Sequence, residues 1–260
     1  MDSDAISEGD YVLVYVDSKR SKVVRVSRGA RFESDKGVLD LGSVIGLHYG
    51  SQVSLSTGIR AYLLKPLHID LASKFKRVTQ VIYPKDAGFM ILLSGISSGS
   101  NVLEIGVGTG YLTSFIANAV RPSGQVVGYE VRPEYAEVAM RNLAKLGLDR
   151  NVVIKVADAR QGIEKLDDRG FDAVFIDMPD PWNVYLKLRE VVRPSAPVLT
   201  FLPTVSQVIK ILDFLETSSC GIDIRVYETI LREFEPNAQA LRPRTLYTAH
   251  TGYIVFFRLI

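Results

Sequence analysis

The sequence has little of what staples a chain or binds a metal. Among its 260 residues are one cysteine, Cys220, and three histidines, His48, His68 and His250. A single cysteine excludes an intramolecular disulfide and a multi-cysteine metal cage, and the histidines lie too far apart in sequence to form a helical pair. No metal is therefore expected. Apolar runs reach strand length only, well short of the roughly 18 residues of a membrane span, so no membrane association is expected. The first residues include Asp2, Asp4, Glu8 and Asp10 and hold no apolar run after a basic start. That pattern carries no secretory signal, and a soluble cytoplasmic protein is the expectation.

Charge of one sign is also scarce. The net charge is +2, which gives no global bias toward nucleic acid. The distribution is uneven. Residues 1–85 hold 13 Lys/Arg against 9 Asp/Glu, about +4, and the remainder is about −2. The N-terminal third can therefore present a phosphate-binding surface, although a solvated face explains the same excess. Composition is that of an ordinary globular chain, 47% apolar and 23% charged. It is enough for one large domain, or a medium one with a small one.

The chain shows two regimes. Tyr11–Val16 and Lys22–Val26 are β-branched and aromatic runs around a polar turn, and Gly29, Gly37, Gly42, Gly46, Gly50 and Gly58 punctuate the residues beyond them. This predicts a small all-β domain over residues 1–70. From Pro84 the pattern becomes an alternation. Helices are predicted over 85–96, 111–120, 133–146, 184–192 and 205–215. Strands are predicted over 101–105, 125–130, 152–156, 173–177 and 197–202. Such alternation means βαβ units and a doubly wound parallel sheet over residues 71–260. The segments 222–231 and 247–259 read as two strands without a helix between them, a terminal antiparallel hairpin.

The sharpest local signal is Val102-Leu103-Glu104-Ile105-Gly106-Val107-Gly108-Thr109-Gly110-Tyr111. A buried strand runs into three alternate glycines, and a helix opens. Glycines permit a tight turn and close backbone approach. The spacing is G-x-G-x-G, not the dinucleotide-binding G-x-G-x-x-G. The next strand ends in Glu130, where a carboxylate can accept from both hydroxyls of a ribose. Asp158 follows the strand after that, within reach of an adenine amino group or, alternatively, as a helix N-cap.

These residues resemble the class I S-adenosylmethionine-dependent methyltransferases, marked by E-x-G-x-G-x-G, an acid ending the second strand and an Asp after the third. The resemblance implies a seven-stranded Rossmann-like sheet with the C-terminal hairpin antiparallel, and S-adenosylmethionine as cofactor. It implies that Glu104 and the turn through Gly106, Gly108, Thr109 and Gly110 into Tyr111 and Leu112 lie by the methionine. It likewise implies Glu130 on the ribose, and Asp158 with Ala159 at the adenine. Ile82 would pack over the cofactor. Tyr135, one turn beyond Glu130, either covers the adenine or packs in the core.

The fourth strand runs Phe171-Asp172-Ala173-Val174-Phe175-Ile176 into Asp177-Met178-Pro179-Asp180-Pro181-Trp182. Asp177 leaves an apolar stretch at the sheet edge, two prolines stiffen the loop, and Trp182 can wall a pocket or join the core. Asp-Met-Pro-Asp-Pro-Trp closely resembles the tRNA (adenine-N1)-methyltransferase family that acts in the T-loop, the TrmI type. Tyr83-Pro84-Lys85-Asp86, with Gln80 upstream, is similar to that family's Tyr-x-x-Asp segment. His250-Thr251-Gly252-Tyr253 is similar to its Gly-His-Thr motif, with Ala249 in place of the first glycine. The resemblance covers essentially the whole chain. It implies tRNA as substrate, adenosine 58 alone or both 57 and 58 as acceptor, and a homotetramer.

Adenine N1 carries an in-plane lone pair and needs no prior deprotonation. Methylation makes the base cationic, with the charge shared by its 6-amino group. A carboxylate accepting from that amino group favours the transition state, and Asp177 is the residue expected there, as acceptor or as base. A T-loop base must be extruded to react, and Tyr83 is expected to stack on it or orient it. His250 and Trp182 complete the expected acceptor side. RNA contacts are expected from Lys19, Arg20, Lys22 and Arg25, from Lys74, Lys76 and Arg77, and from Arg242 and Arg244, each also readable as solvated surface. Three alternatives stand beside this reading: an isoaspartyl-type methyltransferase, a non-catalytic tRNA-binding subunit, and a nicotinamide dehydrogenase. The last lacks the expected Tyr-x-x-x-Lys pair.

Overall fold

The computed structural model describes residues 4–76, 78 and 80–260. The chain divides into two compact units, Met1–Phe75 and Lys76–Ile260.

In the first unit, strands β1 (Tyr11–Asp17), β2 (Arg20–Arg25), β3 (Arg31–Ser34), β4 (Gly37–Asp40), β5 (Gln52–Ser54) and β6 (Arg60–Leu64) precede a short helix α1 (His68–Ala72). They form a four-stranded antiparallel sheet, order β2-β1-β6-β5, and a β3-β4 ladder. Strand periodicity makes the core. Val12 and Val14 of β1 and Ala61 and Leu63 of β6 point inward with Phe32, Leu39 and Leu55.

The second unit begins with α2 (Pro84–Ser94), β7 (Asn101–Ile105), α3 (Tyr111–Val120), β8 (Gln125–Glu130), α4 (Pro133–Ala144), β9 (Val152–Val156) and β10 (Ala173–Ile176). It continues with α5 (Tyr185–Leu188), β11 (Pro197–Leu202), α6 (Val205–Ser218), β12 (Gly221–Tyr227), β13 (Phe234–Glu235), β14 (Arg242–Pro243) and β15 (Tyr253–Leu259). The strand order is β12-β15-β11-β10-β7-β8-β9, with β15 antiparallel to both its neighbours. Alternate side chains leave opposite faces. Val102, Val126, Phe175 and Leu199 meet α2, α3 and α4 through Met90, Ile116 and Leu143. Leu103, Val127, Val174 and Val198 meet α5 and α6 through Tyr185, Leu188, Ile211 and Leu215. The sheet is thus covered on both faces, the expected doubly wound α/β arrangement. The chain leaves β9 at one edge and returns to place β10 beside β7. That reversal of strand order opens a crevice at the carboxyl ends of the strands.

Three elements differ from the sequence reading. Residues 184–192 form only the four-residue α5, because Val191 and Val192 leave the helix to pair with the approach to β10: Phe171 N–H donates to the Val191 carbonyl (2.9 Å), and Arg193 N–H to that of Phe171 (3.1 Å). Helix α4 stops at Ala144 because Gly147 (φ +65°) reverses the chain, and Leu148 N–H bonds back to the Leu143 carbonyl (3.1 Å). The terminal strands pair antiparallel but are shorter than the expected 222–231 and 247–259, spanning Gly221–Tyr227 and Tyr253–Leu259, and the β13-β14 ladder lies in the segment between them. Among the described residues, no helix is long and apolar enough to cross a membrane. No group of three or more His, Cys, Asp or Glu among them could hold a metal ion.

Candidate active site

A cavity of about 650 Å³ lies over the carboxyl ends of β7, β8, β9 and β10. Its shape depends on glycines at two close approaches. Gly106 has φ +90°, and a Cβ there would stand 2.0 Å from the Asp177 carbonyl oxygen. Gly106 therefore lets the turn after β7 cross the end of β10. Gly110 (φ +78°) precedes α3, and a Cβ would stand 3.0 Å from Ala139 Cβ on α4. Both glycines serve chain-on-chain contact, whereas the sequence reading emphasised approach to a ligand.

Glu130, at the end of β8, is buried and holds the turn. One carboxylate oxygen accepts from Gly108 N–H (2.8 Å) and the other from Arg132 N–H (3.0 Å). Each oxygen keeps a lone pair free to accept from a ligand. Asp158, beyond β9, repeats the device: its Oδ1 accepts from Arg160 N–H (2.9 Å). The Arg160 side chain also grips both Asp158 oxygens and reaches Asp180 (2.9 Å), bridging the loops after β9 and β10. The Arg160 guanidinium holds the Asp158 carboxyl below the usual carboxylate range. No helix follows Asp158, so it caps a turn and not a helix.

Asp177 N–H donates to the Ile105 carbonyl (2.8 Å), which fixes the residue at the crevice. Burial, with the Glu130 charge, pushes its carboxyl up to about 6. Beneath it Glu104 is fully buried, and neither carboxylate oxygen has a hydrogen-bond partner. Burial, reinforced by the Asp177 and Glu130 charges, pushes the Glu104 carboxyl up to about 8. An acid raised in the folded state contributes stability that is present below its unfolded value, near 4.5, and is lost as pH rises toward 8. Glu104→Gln removes this loss. The stability of the variant minus that of wild type is expected to grow from pH 5 to pH 8, by at most about 1.4 kcal/mol per pH unit, and the gap between their melting temperatures is expected to widen with it. A constant gap in thermal melts across that range contradicts the assignment.

Ile82, Thr109, Tyr111, Leu112, Tyr135 and Ala159 also line the cavity. The Tyr135 hydroxyl accepts from Arg132 (2.6 Å), and the guanidinium lies 4.8 Å from the ring centroid, so Tyr135 stands at the wall and not in the core. Other expected residues lie outside the cavity walls. Tyr83 precedes α2, exposed. Trp182 packs on the α6 side of the core, with Lys210 over its ring. His250 bonds Glu228 (2.7 Å) and the Pro203 carbonyl (3.2 Å). Arg242 pairs with Glu235, and Arg244 with Glu233.

Of the other basic residues, Arg20 is committed to Asp17 and Asp35, and Arg25 donates to the Gly9 carbonyl. Lys19, Lys22, Lys74 and Lys76 are exposed, and Arg77 lies outside the described residues. The sequence reading missed Arg132, Arg160 and Asp180, which line the cavity. A signal was present: both Glu130-Val131-Arg132 and Asp158-Ala159-Arg160 place an arginine two residues after the acid at a strand end.

The result is an acid-lined crevice with apolar walls. It suits a ligand that carries hydroxyl and amino donors, a flat ring and positive charge. The crystal structure of a protein described as a SAM-dependent O-methyltransferase from Thermotoga maritima superposes with a TM-score of 0.91 at 34% identity, covering 99% of this chain and 96% of that one. That of tRNA (m1A58) methyltransferase TrmI from Aquifex aeolicus gives 0.87 at 29% identity, covering 99% of each. The tRNA (adenine(57)-N(1)/adenine(58)-N(1))-methyltransferase TrmI of Methanocaldococcus jannaschii is 32% identical over 94% of this chain and 93% of its own length. The model of the family described as tRNA methyltransferase complex GCD14 subunit matches residues 61–251, and the chain belongs to that family.

Proposed function

We propose that the protein transfers a methyl group from S-adenosylmethionine to N1 of adenosine 58 in the T-loop of tRNA. The observation that carries this reading is the Asp177 carboxylate in the wall of the acid-lined cavity, where it opens the Asp-Met-Pro-Asp-Pro-Trp loop. The residues fit the cofactor. Glu130 and Asp158 offer acceptors to ribose and adenine donors, Ile82 and Ala159 offer apolar walls, and the buried Glu104 carboxyl adds a polar group below the turn. S-adenosylmethionine, when bound, supplies a methyl group on a cationic sulfur.

Asp177 then acts on the acceptor. It accepts a hydrogen bond from the adenine 6-amino group, and its charge opposes the positive charge that grows on the base as N1 attacks. Tyr83, just before α2, stacks on the extruded base, while His250 flanks it. Lys19, Lys22 and Arg25 make the small β unit a tRNA-binding domain, residues 1–70 by the sequence reading, and residues 71–260 are the catalytic domain. A cytoplasmic location is part of the same reading.

The assembly is a homotetramer in this reading. The supporting feature is the edge strand β12, whose Ile222, Ile224 and Val226 are all exposed, with Ile230, Leu231 and Phe234 beyond it. Light scattering is expected to give four times the 28.8 kDa chain mass; a monomer mass contradicts it. Labelled-methyl incorporation tests the function. An unmodified tRNA transcript is expected to accept label, and the same transcript with adenosine 58 replaced by guanosine is expected to lose most of it. Any label that remains and maps to 57 assigns the second position. Equal labelling of both transcripts, away from 57, overturns the reading.

A further inference from the structure

Among the described residues one ion pair is buried at both ends, and it lies outside the cavity. Lys85 and Asp86, in the first turn of α2, meet at 2.9 Å, with the Asp86 side chain fully buried. Two threonines more than 140 residues away close a ring around them. Lys85 Nζ donates to Thr251 Oγ1 (2.6 Å) and to Thr229, at its carbonyl (2.7 Å) and hydroxyl (3.0 Å). The Thr229 hydroxyl donates to Asp86 Oδ1 (2.5 Å), and the Thr251 hydroxyl to Asp86 Oδ2 (2.7 Å). Each hydroxyl thus accepts from the ammonium and donates to the carboxylate, so every polar group in the ring is satisfied.

The ring sits beside the acceptor side of the site. Along the sheet edge, the ends of β9, β8, β7 and β10 form the cavity, and the next two places belong to β11 and β15. Thr251 lies two residues before β15. Its neighbour His250 spans from Glu228 to the Pro203 carbonyl just past β11. On the other side of the ring, α2 starts one residue after Tyr83 and two after Ile82 of the cavity wall. The ring therefore ties three chain segments together at the sheet edge, two strand places beyond the end of β10 that carries Asp177.

We propose that Lys85, Asp86, Thr229 and Thr251 are positioning residues for the methyl acceptor. They hold the start of α2 and the segments 228–229 and 250–251 in the arrangement that receives the extruded base. This rests on the tRNA methyltransferase reading above. Removing either charge strands the other in the interior and unfolds the site by itself, so the test uses the threonines. Thr251→Val keeps shape and removes both hydrogen bonds; Thr251→Ser restores them.

In full-length protein, kcat/KM for tRNA is expected to fall at least about 10-fold in Thr251→Val, with the dissociation constant of S-adenosylmethionine within about 2-fold of wild type. Thr251→Ser is expected to stay within about 3-fold of wild type on both measures. Should Thr251→Val not fold, Thr229→Val at the half-buried neighbour replaces it, with the same expectation. A folded valine variant as active on tRNA as wild type overturns the proposal, and so does a parallel loss of tRNA activity and cofactor affinity. Wild type that methylates no tRNA overturns the function reading, and this proposal with it.

Discussion

Asp177→Ala is expected to lower kcat for tRNA methylation by about 10²–10³, the range seen when a positioned group facing transition-state charge is removed. The loss is expected mainly in kcat, because the positive charge that Asp177 opposes exists only as N1 attacks. Asp177→Asn separates the two roles open to the residue. An amide oxygen still accepts from the adenine amino group but takes no proton, so a pure acceptor role leaves Asn well above Ala. A base role brings both down together. The pH profile adds an independent check. Burial and the Glu130 charge hold the Asp177 carboxyl near 6, so kcat/KM is expected to rise with pH through an acid limb there, reporting the free enzyme. That limb is expected to vanish in Asp177→Asn. An unchanged limb assigns it to another group.

Gly106→Ala is expected to be the most damaging conservative change in the chain. The added methyl meets the Asp177 carbonyl oxygen at 2.0 Å, a backbone atom that can retreat only by moving β10, and φ +90° disfavours any side chain there. A loss of about 4 kcal/mol or more places it in the exceptional class of substitutions. For a unit of this size that lowers the melting temperature by roughly 10 °C, with cofactor binding lost. Gly147→Ala is the control. It has φ +65°, but nothing lies within 4 Å of the new Cβ, so only the backbone cost of about 1–2 kcal/mol applies. If the two variants melt alike, steric contact between the turn and β10 is not what requires glycine at 106.

The strands and helices that build the crevice were legible because their signals are local. The apolar runs at 101–105, 125–130, 152–156 and 197–202, and the helix at 111–120, fall between turn residues that mark their ends. The same locality made Glu104, Glu130, Asp158 and Asp177 legible as strand-end acids, and the structure gathers all four at one sheet edge. What escaped depends on pairing over distance. Residues 184–192 have a helical look, yet Val191 and Val192 are drawn to the backbone of Phe171, which periodicity does not reveal. Tyr-Pro-Lys-Asp and His-Thr-Gly read as two separate motifs. Only the fold shows that Lys85, Asp86 and Thr251 belong to one hydrogen-bonded ring. Trp182 stands in the most specific motif of the chain and nevertheless packs on the α6 side of the core. An isolated aromatic gives no sign of which way its loop will turn it.

The central claim is that the carboxylate-lined crevice methylates adenine N1 in tRNA through Asp177. The most direct measurement is identification of the nucleoside formed when wild type and Asp177→Ala each act on an unmodified tRNA transcript with labelled S-adenosylmethionine. The account predicts N1-methyladenosine mapping to position 58 with wild type, and a loss of about 10²-fold or more in its rate of formation with the variant. A different methylated nucleoside, or equal rates from the two proteins, would contradict it.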